Sequence, residues 1–322
     1  MTRYARQIKV PGVGTAGQAK LAAAHVLVVG AGGLGSPVLQ YLAGAGIGRI
    51  TLVDPDLVEE SNLHRQPIYR LSDLGRAKAL AARDHLLMAH PDVEIIARVG
   101  SLHPAIADDM ARPAHIVVDA ADSYAVSYIL SDACHRLKKP LISASALGQS
   151  GYVGGYCGGA PSLRAVFPDP PDNSATCASA GVMGPLVGMI GAMQAQIALQ
   201  ILLNHQPSPL GNLVTLDLKE LRFGGFSFHD TPEPDCFASF VSTQDIVPTD
   251  QVIDLRGEDE APFLLTPHAK RCLPECVNSI KISQNQRLVL CCATGLRAWW
   301  AASHFIEAGH ANVRLVAARA SA

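Results

Sequence analysis

The chain has 322 residues, of which 48% are hydrophobic and only 17% charged, with a formal net charge of −2 at pH 7. That length allows about two domains, each able to bury its own core. The near-neutral balance offers no basic footprint for nucleic acid, and the N-terminal MTRYARQIKV has no apolar run of signal-peptide type.

Residues 26–29, VLVV, form a short apolar run that predicts a buried parallel strand. Gly30, Gly32 and Gly35 follow as G-x-G-x-x-G at the mouth of a helix, with Gly33 inside the same loop. Such glycines let the backbone turn tightly and approach a phosphate, which the helix N-terminus favours electrostatically. A second strand, 49–53, closes on Asp54, at the spacing where a carboxylate takes a ribose hydroxyl. Any dinucleotide-binding unit could show this much. Asn62, Arg65, Gln66 and then Lys78 add amides and two cations just past the acid, which suits an ATP triphosphate better than a nicotinamide. Taken singly, Arg65 and Lys78 are also what an ordinary solvated surface carries.

Further along, 75–88 reads as a helix, 93–98 and 116–119 as strands, 127–137 as a helix and 140–143 as a short strand. This alternation predicts an α/β fold, a doubly wound, mostly parallel Rossmann-like sheet. Asp119 and Asp122, in VVDAAD, are expected to face the crevice at the strand ends, where a carboxylate can hold Mg²⁺ beside phosphates. Residues 151–171, rich in Gly and Pro, read as loop and hairpin, and 213–216 as a returning strand. The uncharged stretch 181–203 is long enough to span a bilayer, but Pro185 and three glutamines favour a helix in the core or at a dimer seam.

Turn formers from 224 to 248 mark a linker, set at 231–248 between a first domain (1–230) and a small α/β second domain (249–322). There, 252–255, 288–291 and 313–316 read as strands and 298–307 as a helix. Cys292-Ala293-Thr294-Gly295-Leu296-Arg297 follows a strand and opens that helix, so its backbone N–H groups converge on one point that favours an anion. A cysteine so placed is expected to be a thiolate near neutrality. This C-x4-R loop is one residue shorter than that of cysteine phosphatases and suits a persulfide sulfur better than a phosphate. Cys291 should face the opposite side of its strand, in the core. Eight cysteines, at 134, 157, 177, 236, 272, 276, 291 and 292, show no paired framework, which suggests a reducing cytosol. Cys177 precedes the apolar helix as nucleophile, resolving thiol or inert side chain; the sequence leaves these open.

Together RYARQI, VLVVGAGGLGS, DPDLVEESNLHRQ, GRAKA, TCASAGVMGPLVG and CATGLR resemble a known family. It is that of the adenylyltransferases activating ubiquitin-like sulfur carriers in molybdopterin and thiamine biosynthesis, relatives of ubiquitin-activating enzymes. The likeness is nearest to members fused to a C-terminal rhodanese domain and covers nearly the whole chain. It implies a cytoplasmic homodimer in which Arg6 reaches the ATP of the partner subunit. It also implies that Asp54 binds ribose, that Asn62, Arg65, Gln66 and Lys78 surround the triphosphate, and that Asp122 holds Mg²⁺. Cys177 falls where relatives carry a cysteine on a loop crossing the site. Cys292 falls on the rhodanese persulfide position, with Arg297 closing its loop and Asp254-Leu255-Arg256 matching the usual D-V-R strand. The implied partners are a β-grasp carrier ending in Gly-Gly and a persulfide sulfur donor, with no nucleic acid and no membrane. The chain departs from the family where two C-x-x-C pairs usually hold zinc: Ser162 and Ala165 replace the first, and Cys236 with Ser239 the second. One thiolate cannot build a tetrahedral site, so no structural zinc is expected. Cys272 and Cys276 have ligand-like spacing without a second pair, and the rhodanese-like segment is short. Two other readings use part of the pattern: a non-catalytic partner that docks a carrier, and an NAD(P)-dependent oxidoreductase resting on the glycine loop and Asp54 alone.

Overall fold

In the first strand, β1 (His25–Val29), Val26 and Val28 face one side and Leu27 and Val29 the other, and each side meets its own apolar cluster. A strand buried on both faces belongs at the centre of a sheet, and β1 lies between β2 (Arg49–Asp54) and β4 (Ile116–Asp119), parallel to both. The computed structural model describes residues 3–170, 181–273, 276–277, 280–282 and 286–318. Its larger sheet runs β3-β2-β1-β4-β5-β6-β7-β8. β3 (Glu94–Val99) and β5 (Pro140–Leu147) complete the parallel part, while β6 (Ser150–Cys157), β7 (Asn212–Asp217) and β8 (Arg222–Ser227) continue it antiparallel.

Helices cover both faces, as the strand pattern requires. The short α1 (Ala5–Ile8) and α2 (Gly14–Ala23) precede β1. α3 (Gly35–Gly44) and α4 (Lys78–Ala89) lie on the face of Val26 and Val28; α5 (Pro104–Ala111) and α6 (Tyr124–Leu137) lie on the other. A single turn, α7 (Leu163–Val166), follows β6. α8 (Gly184–Leu202) is long and apolar enough to cross a membrane by length and composition alone. Here it buries Leu186, Val187, Ile190, Gln194, Ala195 and Ala198 against α3 and the sheet, the core placement expected for it.

Four expectations are corrected. The strand expected at 140–143 extends to Leu147, and residues 151–157 of the stretch expected as loop and hairpin join Ser150 in β6, paired to β5 along its whole length. Gly151, Gly154 and Gly155 hide the alternation that would announce it. Residues 224–227, expected as linker, form most of the edge strand β8, whose side chains are all exposed and so carry no apolar period. Within 231–248, Ser239–Phe240 is a strand, β9, of the second sheet.

That second sheet is entirely parallel, in the order β11-β10-β12-β13-β9. β10 (Gln251–Asp254), β11 (Lys270–Arg271), β12 (Leu288–Cys292) and β13 (Val313–Ala317) join β9, with α9 (Leu296–Glu307) following β12. One face of it, carrying Ile253, Leu288, Leu290 and Leu315, packs into the same cluster as Leu27, Ala125 and Tyr128 of the first domain. The two sheets therefore share a core.

Candidate active site

The order in which strands are laid down reverses between the parallel β1 and β4, and the crevice at their C-terminal ends is where doubly wound sheets bind ligands. Gly30 turns there with φ +101°, and a Cβ on it would run into the Ala120 carbonyl, so the glycine loop lies directly on the turn after β4. Gly35 packs as closely onto the Gly30 carbonyl. A Cβ on Gly33 would sit 2.6 Å from Val187, and one on Gly32 would sit 3.6 Å from the Gln66 side-chain nitrogen. The loop is thus clamped between α8, the β4 turn and Gln66.

Asp54 is buried at the end of β2, and its carboxylate accepts the Ala31 N–H at 2.7 Å and the Asp56 N–H at 2.9 Å. Burial pushes its pKa up, opposed by those two donors and by Lys78. Lys78 opens α4 with its side chain almost wholly enclosed, and its ammonium meets Asp56 at 3.0 Å. Arg65 is half-buried, donates to the Ser61 carbonyl at 3.1 Å and runs its stem past Gly33. Asn62 and Gln66 are buried, and the Gln66 Oε1 has no hydrogen-bond partner. A buried polar atom left unpaired beside the glycine loop marks a hydrogen bond that a ligand would complete. Tyr69, which no sequence pattern singled out, donates to the Ala31 carbonyl at 2.8 Å and braces the loop from beneath. Asp56 was equally unmarked.

Asp119 and Asp122 part company. Asp122 is exposed beyond the turn. Asp119, expected to face the crevice, is fully buried beneath it, accepting Ser143 Oγ at 2.7 Å and the Ala121 N–H at 3.2 Å while its carbonyl takes the Gln194 amide at 2.6 Å. It fixes the turn that carries Asp122. One exposed hard oxygen donor suits Mg²⁺, which takes one or two carboxylates and leaves its other positions to phosphates and water. Burial raises the Asp119 pKa to about 6. Between pH ~4 and ~6 the folded protein therefore keeps a proton that the unfolded chain has lost, and this group's stability contribution falls as pH rises through that window. Asp119→Asn removes the effect, so its stability relative to wild type should rise by about 2–3 kcal/mol between pH 4 and 6.5 in urea unfolding. A pH-independent difference would refute the assignment.

Arg6 is exposed on α1, whose neighbour Gln7 bonds the Ala45 carbonyl just beyond the C-terminal end of α3. The glycine loop lies at the other end of that ten-residue helix, about 15 Å away. The structure does not bring Arg6 to its own crevice. Cys177 lies outside the described residues.

In the second domain, Cys292 ends β12 and its sulfur accepts the Gly295 N–H at 3.1 Å and the Ala298 N–H at 3.4 Å. Gly295 permits this cradle by its φ of +85°. Arg297 closes the loop, donating to the Leu255 carbonyl at 3.2 Å and pairing with Glu260. Arg256 grips Asp254 through two nitrogens at 2.9 and 2.7 Å. Cys291 does face the opposite side, in a separate cluster, and burial pushes its thiol up to about 12. Cys272 and Cys276 line a separate cavity of about 530 Å³ with Lys270, Arg271 and Lys281.

The two sites are neighbours. A Cβ on Gly295 would stand 3.4 Å from Ala125, in the first turn of α6 and three residues after Asp122, and 2.6 Å from Phe240. Around Ser162, one of the positions where the resemblance implies a cysteine, stands a polar clamp. Ser162 donates from Oγ and N to the Glu233 carboxylate at 2.5 and 2.7 Å, and Arg164 pairs with Asp132 at 2.6 and 3.0 Å. Among the described residues no group of three His, Cys, Asp or Glu could hold a metal ion.

A family profile described as "ThiF family" matches residues 4–238. The adenylyltransferase and sulfurtransferase MOCS3 of Sus scrofa is 41% identical over 239 residues, 73% of this chain and 52% of that protein. The adenylyltransferase and sulfurtransferase uba4 of Emericella nidulans is 45% identical over 212 residues, 62% of this chain and 44% of that protein. MOCS3 of Culex quinquefasciatus is 36% identical over 296 residues, 90% of this chain and 67% of that protein. This chain spans about half the length of the first curated relatives. Among solved structures, E. coli MccB with MccA-N7isoASN matches with a TM-score of 0.63 at 21% identity, over 72% of both chains. E. coli MccB with ATP gives 0.62 at 21% identity, over 72% of this chain and 73% of that one. At that identity the likeness is one of fold.

Proposed function

The chain belongs to the ThiF family, and from that premise we propose that it adenylylates the C-terminal carboxylate of a ubiquitin-like sulfur carrier and then exchanges the AMP for sulfur held on Cys292. The observation that carries the second half is the contact between the Cys292 loop and the first turn of α6, beside the Asp122 turn. A protein that only docked a carrier would need neither a glycine loop with its buried acid and cations nor a cysteine cradle next to it.

The substrates are Mg·ATP and a β-grasp protein ending in Gly-Gly. In this reading the glycine loop and the α3 N-terminus receive phosphate, Asp54 takes ribose, and Asn62, Gln66, Arg65 and Lys78 line the triphosphate. Asp122 would hold Mg²⁺, which when bound neutralises phosphate charge. The carrier carboxylate attacks the α-phosphorus, forming a P–O bond as the bond to pyrophosphate breaks; it is already ionised, so no general base is required. Arg6, remote from its own crevice, would complete the partner subunit's site in a homodimer. The Cys292 persulfide then attacks the acyl carbon, forming C–S and expelling AMP. A second thiol, Cys177 or an external one, cleaves the acyl disulfide and leaves a thiocarboxylate. The attacking thiolate bonds to the Cys292 sulfur as the S–S bond to the acyl sulfur breaks, so the thiocarboxylate leaves with that electron pair and the two thiols are left as a new disulfide, reduced in turn by a cellular dithiol. Buried thiols at Cys134, Cys157 and Cys291 suit a reducing compartment.

The test is carrier-dependent ATP–pyrophosphate exchange. Asp122→Ala should lower it by about 10²-fold or more, the scale of losing one charge-stabilising contact in a transition state. Unchanged exchange in the variant would remove Asp122 from the reaction. Absence of exchange in wild type with every Gly-Gly carrier tried would overturn the adenylation reading.

A further inference from the structure

We propose that Trp299 is a positioning residue that docks the Cys292 loop onto the first domain, so that sulfur is sheltered from outside thiols and handed over within one chain. The inference rests on the sulfur-carrier reading above for its second half only. Trp299 is 5% exposed on α9, whereas its neighbour Trp300 is 36% exposed and faces outward. The Trp299 ring centroid is 4.5 Å from that of Tyr128 on α6, and the Arg164 guanidinium carbon lies 4.9 Å from it. Its indole N–H donates to Asp169 at 3.3 Å. All three partners belong to the first domain. From the second sheet, Phe240 stands 6.1 Å away and presses against Gly295 of the cysteine loop.

Strand alternation puts Cys292 on the docked face. Leu288, Leu290 and Cys292 enter the shared cluster, while Val289 and Cys291 enter the other. Cys292 is fully buried there, although Thr294 in the same loop is exposed. The docked contact therefore has two opposed effects. It slows any reagent that must reach the sulfur from outside, and it holds the loop beside the Asp122 turn, where a carrier adenylate would form.

Loss of the indole separates the two halves of the reaction, which general damage would not, since damage lowers pyrophosphate exchange together with thiocarboxylate formation. In the full-length Trp299→Ala protein, iodoacetamide labelling of Cys292, followed by peptide mass spectrometry, is expected to be about tenfold faster. Thiocarboxylate formation on the carrier should fall about tenfold or more, because displaced reactants forfeit orientation. Carrier-dependent pyrophosphate exchange should stay within about twofold. Trp299→Phe keeps a ring against Tyr128 and should restore most of both changes. Asp169→Ala, an exposed carboxylate, should give a smaller shift of the same signs and serves if Trp299→Ala does not fold. Labelling at the wild-type rate in both Trp299→Ala and Asp169→Ala would overturn the docking. Faster labelling with undiminished thiocarboxylate formation would overturn the handover. If wild type shows no exchange with any carrier, the carrier reading fails, while the labelling comparison still decides the docking.

Discussion

Cys292→Ser should abolish thiocarboxylate formation, by about 10³-fold or more, and leave carrier-dependent pyrophosphate exchange at its wild-type rate. The asymmetry follows from position. Cys292 lies in the second sheet's cradle, held by the Gly295 and Ala298 N–H groups, and attack of the carrier carboxylate on ATP makes no use of it. Serine fits the same volume and accepts the same Gly295 and Ala298 N–H groups, but oxygen cannot carry a sulfane sulfur. Cys291 cannot stand in, because it faces the other side of the strand and its thiol, pushed up to about 12 by burial, stays protonated at neutral pH. The assay is mass spectrometry of the carrier after incubation with Mg·ATP and a persulfide donor, read for one oxygen replaced by sulfur. Sulfur transfer surviving in Cys292→Ser would move the nucleophile elsewhere, with Cys177 the next to replace. Loss of exchange as well would mean that the second domain supports the crevice itself.

What the sequence made legible were local features whose chemistry sits in consecutive residues. The glycine loop, Asp54 at a strand end and the Cys292 cradle all lie on elements announced by apolar runs, and all occupy the expected ends of their strands. What stayed hidden depends on contacts far apart in the chain. Asp119 and Asp122 are indistinguishable in VVDAAD, yet Ser143 and Gln194, from other elements, draw one under the sheet and leave the other outside. β6 was masked by its glycines and β8 by its exposure, since neither shows the two-residue period that identifies a half-buried strand. The domain junction was invisible for the same reason: Arg164, Phe237 and Trp299 have no pattern in common until the fold assembles them.

That assembly leads to the largest expected loss of stability. Arg164→Met should cost about 3–5 kcal/mol, much of the ~5–15 kcal/mol that holds a typical domain. Arg164 is 2% exposed and grips Asp132 through Nε and one terminal nitrogen, while its guanidinium lies 4.8 Å from the Tyr128 ring, 4.3 Å from Phe237 and 4.9 Å from Trp299. Methionine fills the space but leaves the Asp132 carboxylate largely enclosed without its cation, and the buried Tyr128 and Trp299 rings, with the exposed Phe237, lose about 1–2 kcal/mol of cation attraction. Arg164→Lys should recover only part, because an ammonium neither pairs through two nitrogens nor stacks flat. The double variant Arg164→Met with Asp132→Leu should return close to wild type, since removing both charges removes the desolvation cost with the pair. Urea unfolding of the three proteins separates these cases. A change below about 0.5 kcal/mol in Arg164→Met would show that the clamp contributes nothing. Because Asp132 lies on α6 and Trp299 on α9, the same variant should also speed labelling of Cys292, tying the stability of the junction to the shelter of the sulfur.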